Sequence, residues 1–381
     1  MRRTLFWGSV GLIIYTYLIY PVIVFFRGIF SAKPYKTADI TPKVSMIIAA
    51  YNEANSIGAK LDNVLALDYP REQLEVLVAS DGSNDGTNEI VARYAQHGIR
   101  LLALPRAGKA PALNAAVKES TGEILVFSDA NSMYREDAIR GLVRPFADPE
   151  VGGVAGNQTY RKNGASSSGD GERGYWNFDQ FLKKAQSRAG NAISATGAIY
   201  AIRRSLFMTV PDGVTDDFVT STRVIAQGFR LVYAPDAVAY EAVAKSGKAE
   251  FGRKVRVMTR GLNSVLTMRE LLNPFRYGFY SFQIFSHKVL RRLVAFPLLL
   301  LFVVSPLLWP LGIIYQLATL GQVAFYGLGA VGWLFSEKRF ANSKLFTIPF
   351  FFIMVNYSAM LATINVIRGR RIDRWETQRQ D

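Results

Sequence analysis

Three short apolar runs early in the chain each end in a polar cluster equipped for chemistry. Residues 44–50 (VSMIIAA) lead into Tyr51-Asn52-Glu53. Residues 75–80 (EVLVAS) lead into Asp81-Gly82-Ser83-Asn84-Asp85, and residues 123–128 (EILVFS) into Asp129-Ala130-Asn131. Runs of this kind read as strands buried on both faces of a parallel sheet. Open α/β sheets bind ligands at the carboxyl ends of such strands. Asp129 and Asn131 offer hard oxygen ligands, suited to Mg²⁺ or Mn²⁺ shared with substrate phosphates. Gly82 permits close backbone approach. Any one cluster is also an ordinary helix cap; three at one edge favour a nucleotide-type pocket.

Further candidates follow. Gly108-Lys109 precedes a helix predicted over 111–118, and helix amino ends and lysines both attract phosphate. A solvated surface lysine is the alternative. Neither a P-loop nor a GxGxxG pattern is present, which argues against P-loop and NAD enzymes. Thr215-Asp216-Asp217-Phe218 opens a predicted helix over 216–227. Paired acids there complement the helix dipole. They also raise each other's pKa toward the range of a general base, and both readings stay open. Arg253, Arg256 and Arg260 share one helix face, with Lys254 beside them; Phe251, Val255, Met258 and Leu262 share another. Such a basic stripe is solvated, lies against lipid headgroups, or holds a diphosphate leaving group.

The elements that must position these residues form an α/β pattern. Strands are predicted over 44–50, 75–80, 99–104, 123–128, 151–155, 198–202 and 230–234. Helices are predicted over 54–67, from 85, over 111–118, 175–189, 216–227 and 249–272. The alternation predicts a parallel sheet with right-handed crossovers. The Gly- and Ser-rich stretch 163–174 reads as a loop.

Membrane character flanks this domain. Of the 381 residues, 50% are hydrophobic and only 20% charged, which fits a globular part joined to membrane segments. Residues 5–26 carry no charge and are long enough to span a bilayer. The run is long for a signal peptide and no Ala-x-Ala site follows, so a retained anchor is expected. Further spans are predicted over 293–315, 317–335 and 345–367, with an interfacial helix over 275–289. The expected organisation is an anchor (1–30), an α/β domain (40–272), an interfacial region (273–292), membrane helices (293–367) and a basic tail (368–381). Cysteine is absent, which excludes disulfides, thiolate zinc sites and Cys nucleophiles. The net charge of +15 suits an anionic membrane or a polyanionic substrate. Nucleic acid fits less well, because much of the basic charge flanks the apolar segments.

Taken together, these motifs resemble the membrane-bound glycosyltransferases of family 2, the relatives of cellulose and hyaluronan synthases. The resemblance covers 44 to about 260. It implies a GT-A catalytic domain, with a Rossmann-like, mostly parallel sheet, flanked by transmembrane helices. VSMIIAAYNE is similar to the family's first motif and implies that Ala50, Tyr51 and Glu53 hold the nucleotide. SDGSNDGT implies that Asp81 binds the base. AGKAPALNAA implies Lys109 at the nucleotide with Asn114 nearby. SDAN falls at the family's Asp-x-Asp, implying Asp129 at the metal, with Asn131 replacing the usual last Asp. TGAIYAIRR resembles the segment lining the acceptor site. TDDF falls at the motif whose last acid is the base, which implies Asp217 in that role beside Asp216. The Gln-x-x-Arg-Trp motif of processive synthases is incomplete. Its stretch reads Arg253-Lys254-Val255-Arg256-Val257, so Arg256 and Arg253 keep the phosphate-facing charge without the Gln and Trp.

The implied reaction is inverting transfer from a nucleotide diphosphate sugar, expected to be UDP-linked, to a saccharide or lipid-linked acceptor. Asp217 would take the acceptor proton, and Mg²⁺ or Mn²⁺ on Asp129 with Arg256 would neutralise the diphosphate. Cell-envelope or exopolysaccharide synthesis at a bacterial inner membrane is the expected setting, with the catalytic domain cytoplasmic. Few spans for an export channel suggest an oligomer or export partner. Arg27, Lys33, Lys36, Arg291, Arg292, Lys338, Arg339 and Lys344 fit that orientation; Arg368, Arg370, Arg371 and Arg374 do not. Either one apolar segment is re-entrant, or the positive-inside rule fails here. A nucleotidyltransferase and a non-catalytic membrane scaffold are the alternatives.

Overall fold

The strand β1 (Val44–Ala50) lies inside the sheet, and all seven of its residues are buried. It is flanked in parallel by β2 (Leu74–Asp81) and β4 (Ile124–Asp129), and β3 (Ile99–Leu104) adds outside β2. With β5 (Met133–Tyr134), β6 (Val151–Tyr160), β7 (Tyr200–Arg203) and β8 (Arg230–Glu241) the order is β3-β2-β1-β4-β7-β6-β8-β5. The computed structural model describes residues 1–160, 168–241, 247–335 and 343–370, and the side chains of 160, 168–177 and 247–250 lie outside that description.

Alternation along β1 explains the layering. Met46 and Ile48 pack on one face with Ile57 and Leu61 of α2 (Ala54–Leu65). Ile47 and Ala49 pack on the other with Leu113 and Ala116 of α4 (Lys109–Glu119). Successive strand side chains point to opposite faces, so a strand apolar throughout must be covered on both. Each such side chain contributes about 1.5–3 kcal/mol of burial. The remaining helices of this domain are α3 (Thr87–Ala92), α5 (Ala138–Val143), α6 (Ser168–Arg188), α7 (Asp216–Ala226) and α8 (Gly247–Thr267).

The sheet is mostly parallel, as the resemblance implies, and is reversed at two strands. β7 runs antiparallel to β4 and β6, and β5 runs antiparallel to β8. A short apolar run specifies burial but not direction, so its polarity was not legible. The reversal brings the residues just before β7 to the edge where β4 ends. β6 and β8 also extend beyond the apolar runs that announced them. Their polar ends pair past a register shift, with Gln158 opposite Ala239. The helix expected over 249–272 stops at Thr267, and Arg269–Leu272 forms a 3-10 turn.

Among the described residues, three helices are long and apolar enough to cross a membrane: α1 (Arg2–Phe30), α11 (Ile313–Leu334) and α12 (Lys344–Ile367). The span expected over 293–315 is instead broken. α9 (Phe279–Leu293) and α10 (Ala295–Leu307) meet at 47°, and the chain turns again at Gly312, whose φ is 133°. The predicted interfacial helix forms much of α9, and its Tyr280 and Ile284 join the domain core. Of the loop expected over 163–174, residues 163–167 lie outside the described residues, and 168 opens α6. Lys338, Arg339 and the tail from Arg371 also lie outside them.

Candidate active site

The carboxyl ends of β1 and β2 are stitched together. Asn52 has φ 51°, a left-handed conformation that asparagine tolerates. Its N–H donates to Ser83 Oγ at 3.1 Å, and its Oδ1 accepts from the Asn84 N–H at 3.0 Å. The Glu53 N–H donates to Thr87 Oγ1 at 2.9 Å, and the Glu53 carboxylate accepts from the Ser56 hydroxyl. Asp81 is 1% exposed. It forms an ion pair with Arg106 and accepts the N–H groups of Ala107 at 2.7 Å and Gly108 at 2.9 Å. The Arg106 guanidinium lies 3.4 Å from the ring centre of Tyr51. A Cβ on Gly82 would meet the Arg106 backbone at 2.8 Å, and its φ is +68°. Glycine is therefore required there twice over. Of the sequence candidates, Ala50, Tyr51, Glu53 and Asp81 thus share one edge, and Arg106 joins them unannounced.

Lys109 opens α4 and binds the other acids together. Its Nζ donates to Asp129 Oδ1 at 2.7 Å and pairs with Asp216 Oδ2 at 3.2 Å. Burial opposes the charge on Lys109, but Asp129, Asp216 and Asp217 outweigh it and hold the ammonium well above its usual range. Asp217, partly buried, is pushed up to about 6, first by burial and then by the Asp216 charge. Lys109 and the Phe218 N–H, 2.7 Å from Asp217 Oδ1, oppose that rise. A Cβ on Gly197 would lie 3.0 Å from Asp129 Oδ2. The reversed strand β7 therefore brings a glycine to the one place where Asp129 needs room.

Contacts from α8 and α4 set the position of the acids. On α8, Arg260 Nε donates to the Val214 carbonyl at 3.0 Å, and Ser264 Oγ accepts from the Thr215 N–H at 2.8 Å. Asn114 clamps Val210 with two hydrogen bonds of 2.9 Å. Arg253 and Arg256 are partly buried on the face of α8 that carries Arg260. Phe251, on the other face, stacks on Tyr357 of α12. Beneath β4, Lys60 is fully buried, donates to the Ser132 carbonyl and lies 4.0 Å from the Tyr134 ring centre. Burial pushes its ammonium down to about 7, against the pull of Asp129 and Glu241. Arg106, Ser264 and Lys60 had no sequence signal, because each acts through a partner distant in the chain, whereas Gly197 lies in the TGAIYAIRR stretch.

The donor set fits a divalent ion only if substrate completes it. Among the described residues no three His, Cys, Asp or Glu side chains cluster as a metal cage. Asp129 is 30% exposed at the open edge, with Asn131 two residues on. One carboxylate with water and phosphate oxygens is a usual environment for Mg²⁺.

A mixed sheet with acids and a lysine converging at its strand ends has the GT-A fold and a nucleotide-type site. Residues 45–210 match the glycosyl transferase family 2 profile. It is similar to the poly-beta-1,6-N-acetyl-D-glucosamine synthase of Staphylococcus aureus, at 27% identity over 231 residues, 59% of this chain and 56% of that one. The Staphylococcus epidermidis synthase is 27% identical over 220 residues, 56% of this chain and 53% of that one. The chain spans about half the length of these curated relatives. A mannosyltransferase from Pyrobaculum calidifontis, solved with GDP-Man and Mn²⁺, shares the fold, with a TM-score of 0.71 and 24% identity over 96% of this chain and 100% of that one.

Proposed function

We propose that the protein is a membrane-bound inverting glycosyltransferase that moves a sugar from a nucleotide diphosphate sugar to a hydroxyl acceptor in cell-envelope or exopolysaccharide synthesis. The observation that carries this is the Asp129–Lys109–Asp216 ion-pair chain, with Asp217 beside it. Similarity to the N-acetylglucosamine polymer synthases favours a UDP-linked donor. The presence of Glu53, Asp81 and Asp129 at the strand ends disfavours a non-catalytic scaffold.

In this reading, Asp217 accepts the proton of the attacking hydroxyl as that oxygen bonds to the anomeric carbon. The bond from that carbon to the diphosphate breaks, and the electron pair leaves with the phosphate oxygen. A carboxylate pushed up to about 6 is about nine-tenths ionised at pH 7 and more basic than an ordinary one. Lys109 holds Asp129 and Asp216 in place and offsets their charge, while Arg253 and Arg256 face the departing diphosphate. Asp129 with Asn131 would hold Mg²⁺ or Mn²⁺, which supplies Lewis-acid charge to the diphosphate when bound. The catalytic domain faces the cytoplasm, where sugar nucleotides are found. The test is a panel of UDP- and GDP-sugars incubated with the purified protein and Mg²⁺ or Mn²⁺. Nucleoside diphosphate release with one sugar supports the reading; pyrophosphate release, or none with any donor, rejects it.

A further inference from the structure

A second cavity, of about 550 Å³, lies between the catalytic domain and the apolar helices. Four basic side chains line it: Lys288, Arg291 and Arg292 of α9, and Lys344 of α12. Among the described residues Asp179 is the single acid in its lining, and Arg291 and Arg292 also donate to His287 Nε2 and the Lys288 carbonyl. That acid is already matched, with His287 Nε2 at 3.5 Å and Lys183 at 3.9 Å. Beyond Lys344 and Thr347, α12 adds the apolar side chains Ile348, Phe351, Phe352 and Val355, which follow one another along a candidate span. A cationic end and an apolar wall in one cavity describe an amphiphile. The end calls for an anion that accepts several hydrogen bonds, and guanidinium forks match phosphate. The wall continues on a helix that is built to lie in a bilayer.

We propose that this cavity binds one phosphate-bearing lipid, with its phosphate among Lys288, Arg291 and Arg292 and its chain along α12. The position connects it to the acids. Lys288 Nζ lies 5.6 Å from the ring centre of Phe218, the neighbour of Asp217. A Cβ on Gly261 would meet Arg292 Nη2 at 2.6 Å, so that glycine admits the guanidinium against α8. The preceding residue, Arg260, holds the Val214 carbonyl. A head group bound here is therefore one residue away from the contacts that position the acid pair. General attraction of basic residues to anionic bilayers needs no cavity, and this is the rival that the test must separate.

The test uses the purified full chain in a neutral detergent, without donor sugar, so its result is independent of the transfer reading. Octadecyl phosphate, octadecanol and inorganic phosphate are the probes, read by native mass spectrometry and by equilibrium competition. One equivalent of octadecyl phosphate binds, at least ten-fold more tightly than octadecanol or inorganic phosphate. Arg291→Gln and the cavity-filling Val355→Trp each weaken it at least ten-fold, while Lys33→Gln, remote from the cavity, leaves it unchanged. Ile348→Trp, at a half-exposed site on the same wall, replaces Val355→Trp if that variant does not fold. Retention of binding by the tryptophan variant, an equal loss in Lys33→Gln, or equal affinity for inorganic phosphate overturns the proposal.

Discussion

Asp216→Asn removes one charge from the acid pair and leaves its shape. In the native protein, burial is the first cause of the raised Asp217 carboxyl and the Asp216 charge the second. The substitution leaves the burial and deletes the repulsion. It also releases Lys109 from one of its two carboxylate partners, 3.2 Å away, while the 2.7 Å contact to Asp129 stays. Both changes stabilise ionised Asp217, so its pKa falls. A base that titrates at about 6 is protonated as the pH falls through 6, and native activity is lost there. In the variant the acid limb of kcat/KM moves to about pH 5, a displacement worth ~1.4 kcal/mol. At pH 5 the fraction of active base rises about five-fold over the native enzyme. At pH 7.5 the weaker base lowers the plateau by only about three-fold. The assay is nucleoside diphosphate release across about pH 4.5 to 8 at constant ionic strength. An acid limb that stays at pH 6, or moves upward, refutes the assignment of Asp217 as a base tuned by its neighbour.

Four further outcomes are expected. Asp217→Asn lowers transfer by about 10³-fold or more, with donor affinity by calorimetry within about two-fold of native. Lys109→Met leaves Asp129 and Asp216 facing each other without their cation, and both donor affinity and thermal stability fall, stability by about 3 kcal/mol in denaturant titration. Gly197→Ala directs a methyl group at Asp129 Oδ2, 3.0 Å away, and raises the Mn²⁺ concentration for half-maximal activity about ten-fold. For Lys60, folding holds the ammonium pKa down at about 7, so the unfolded chain binds more protons between pH 7 and about 10. Native stability relative to Lys60→Met therefore rises with pH across that window in paired denaturant titrations, and a flat difference contradicts the burial argument.

What was legible in the sequence follows from which interactions are local. β1, β2 and β4 are announced by unbroken apolar runs because both faces of the sheet are covered. Their polar ends are visible because the strand stops where the ligand edge begins. The direction of β7 was hidden, since Tyr200–Arg203 carries burial information but no polarity. The break between α10 and α11 was hidden for a related reason, because hydropathy is continuous across Leu308–Leu311. At the site, Asp81, Lys109, Asp129 and Asp217 stood out as charged residues beside apolar runs. Arg106 did not, because its role depends on Asp81 and Tyr51, which lie on two other strand ends. Ser264 likewise acquires meaning only where α8 crosses Thr215.

The central claim is a single displacement at the anomeric carbon with Asp217 as base. The most direct test is the stereochemistry of the product, read by NMR from the anomeric coupling of a sugar transferred from an α-linked nucleotide donor. A β-linked product from the native protein, and none from Asp217→Asn, is the expected result. An α-linked product, or a β-linked product formed at the native rate by Asp217→Asn, contradicts it.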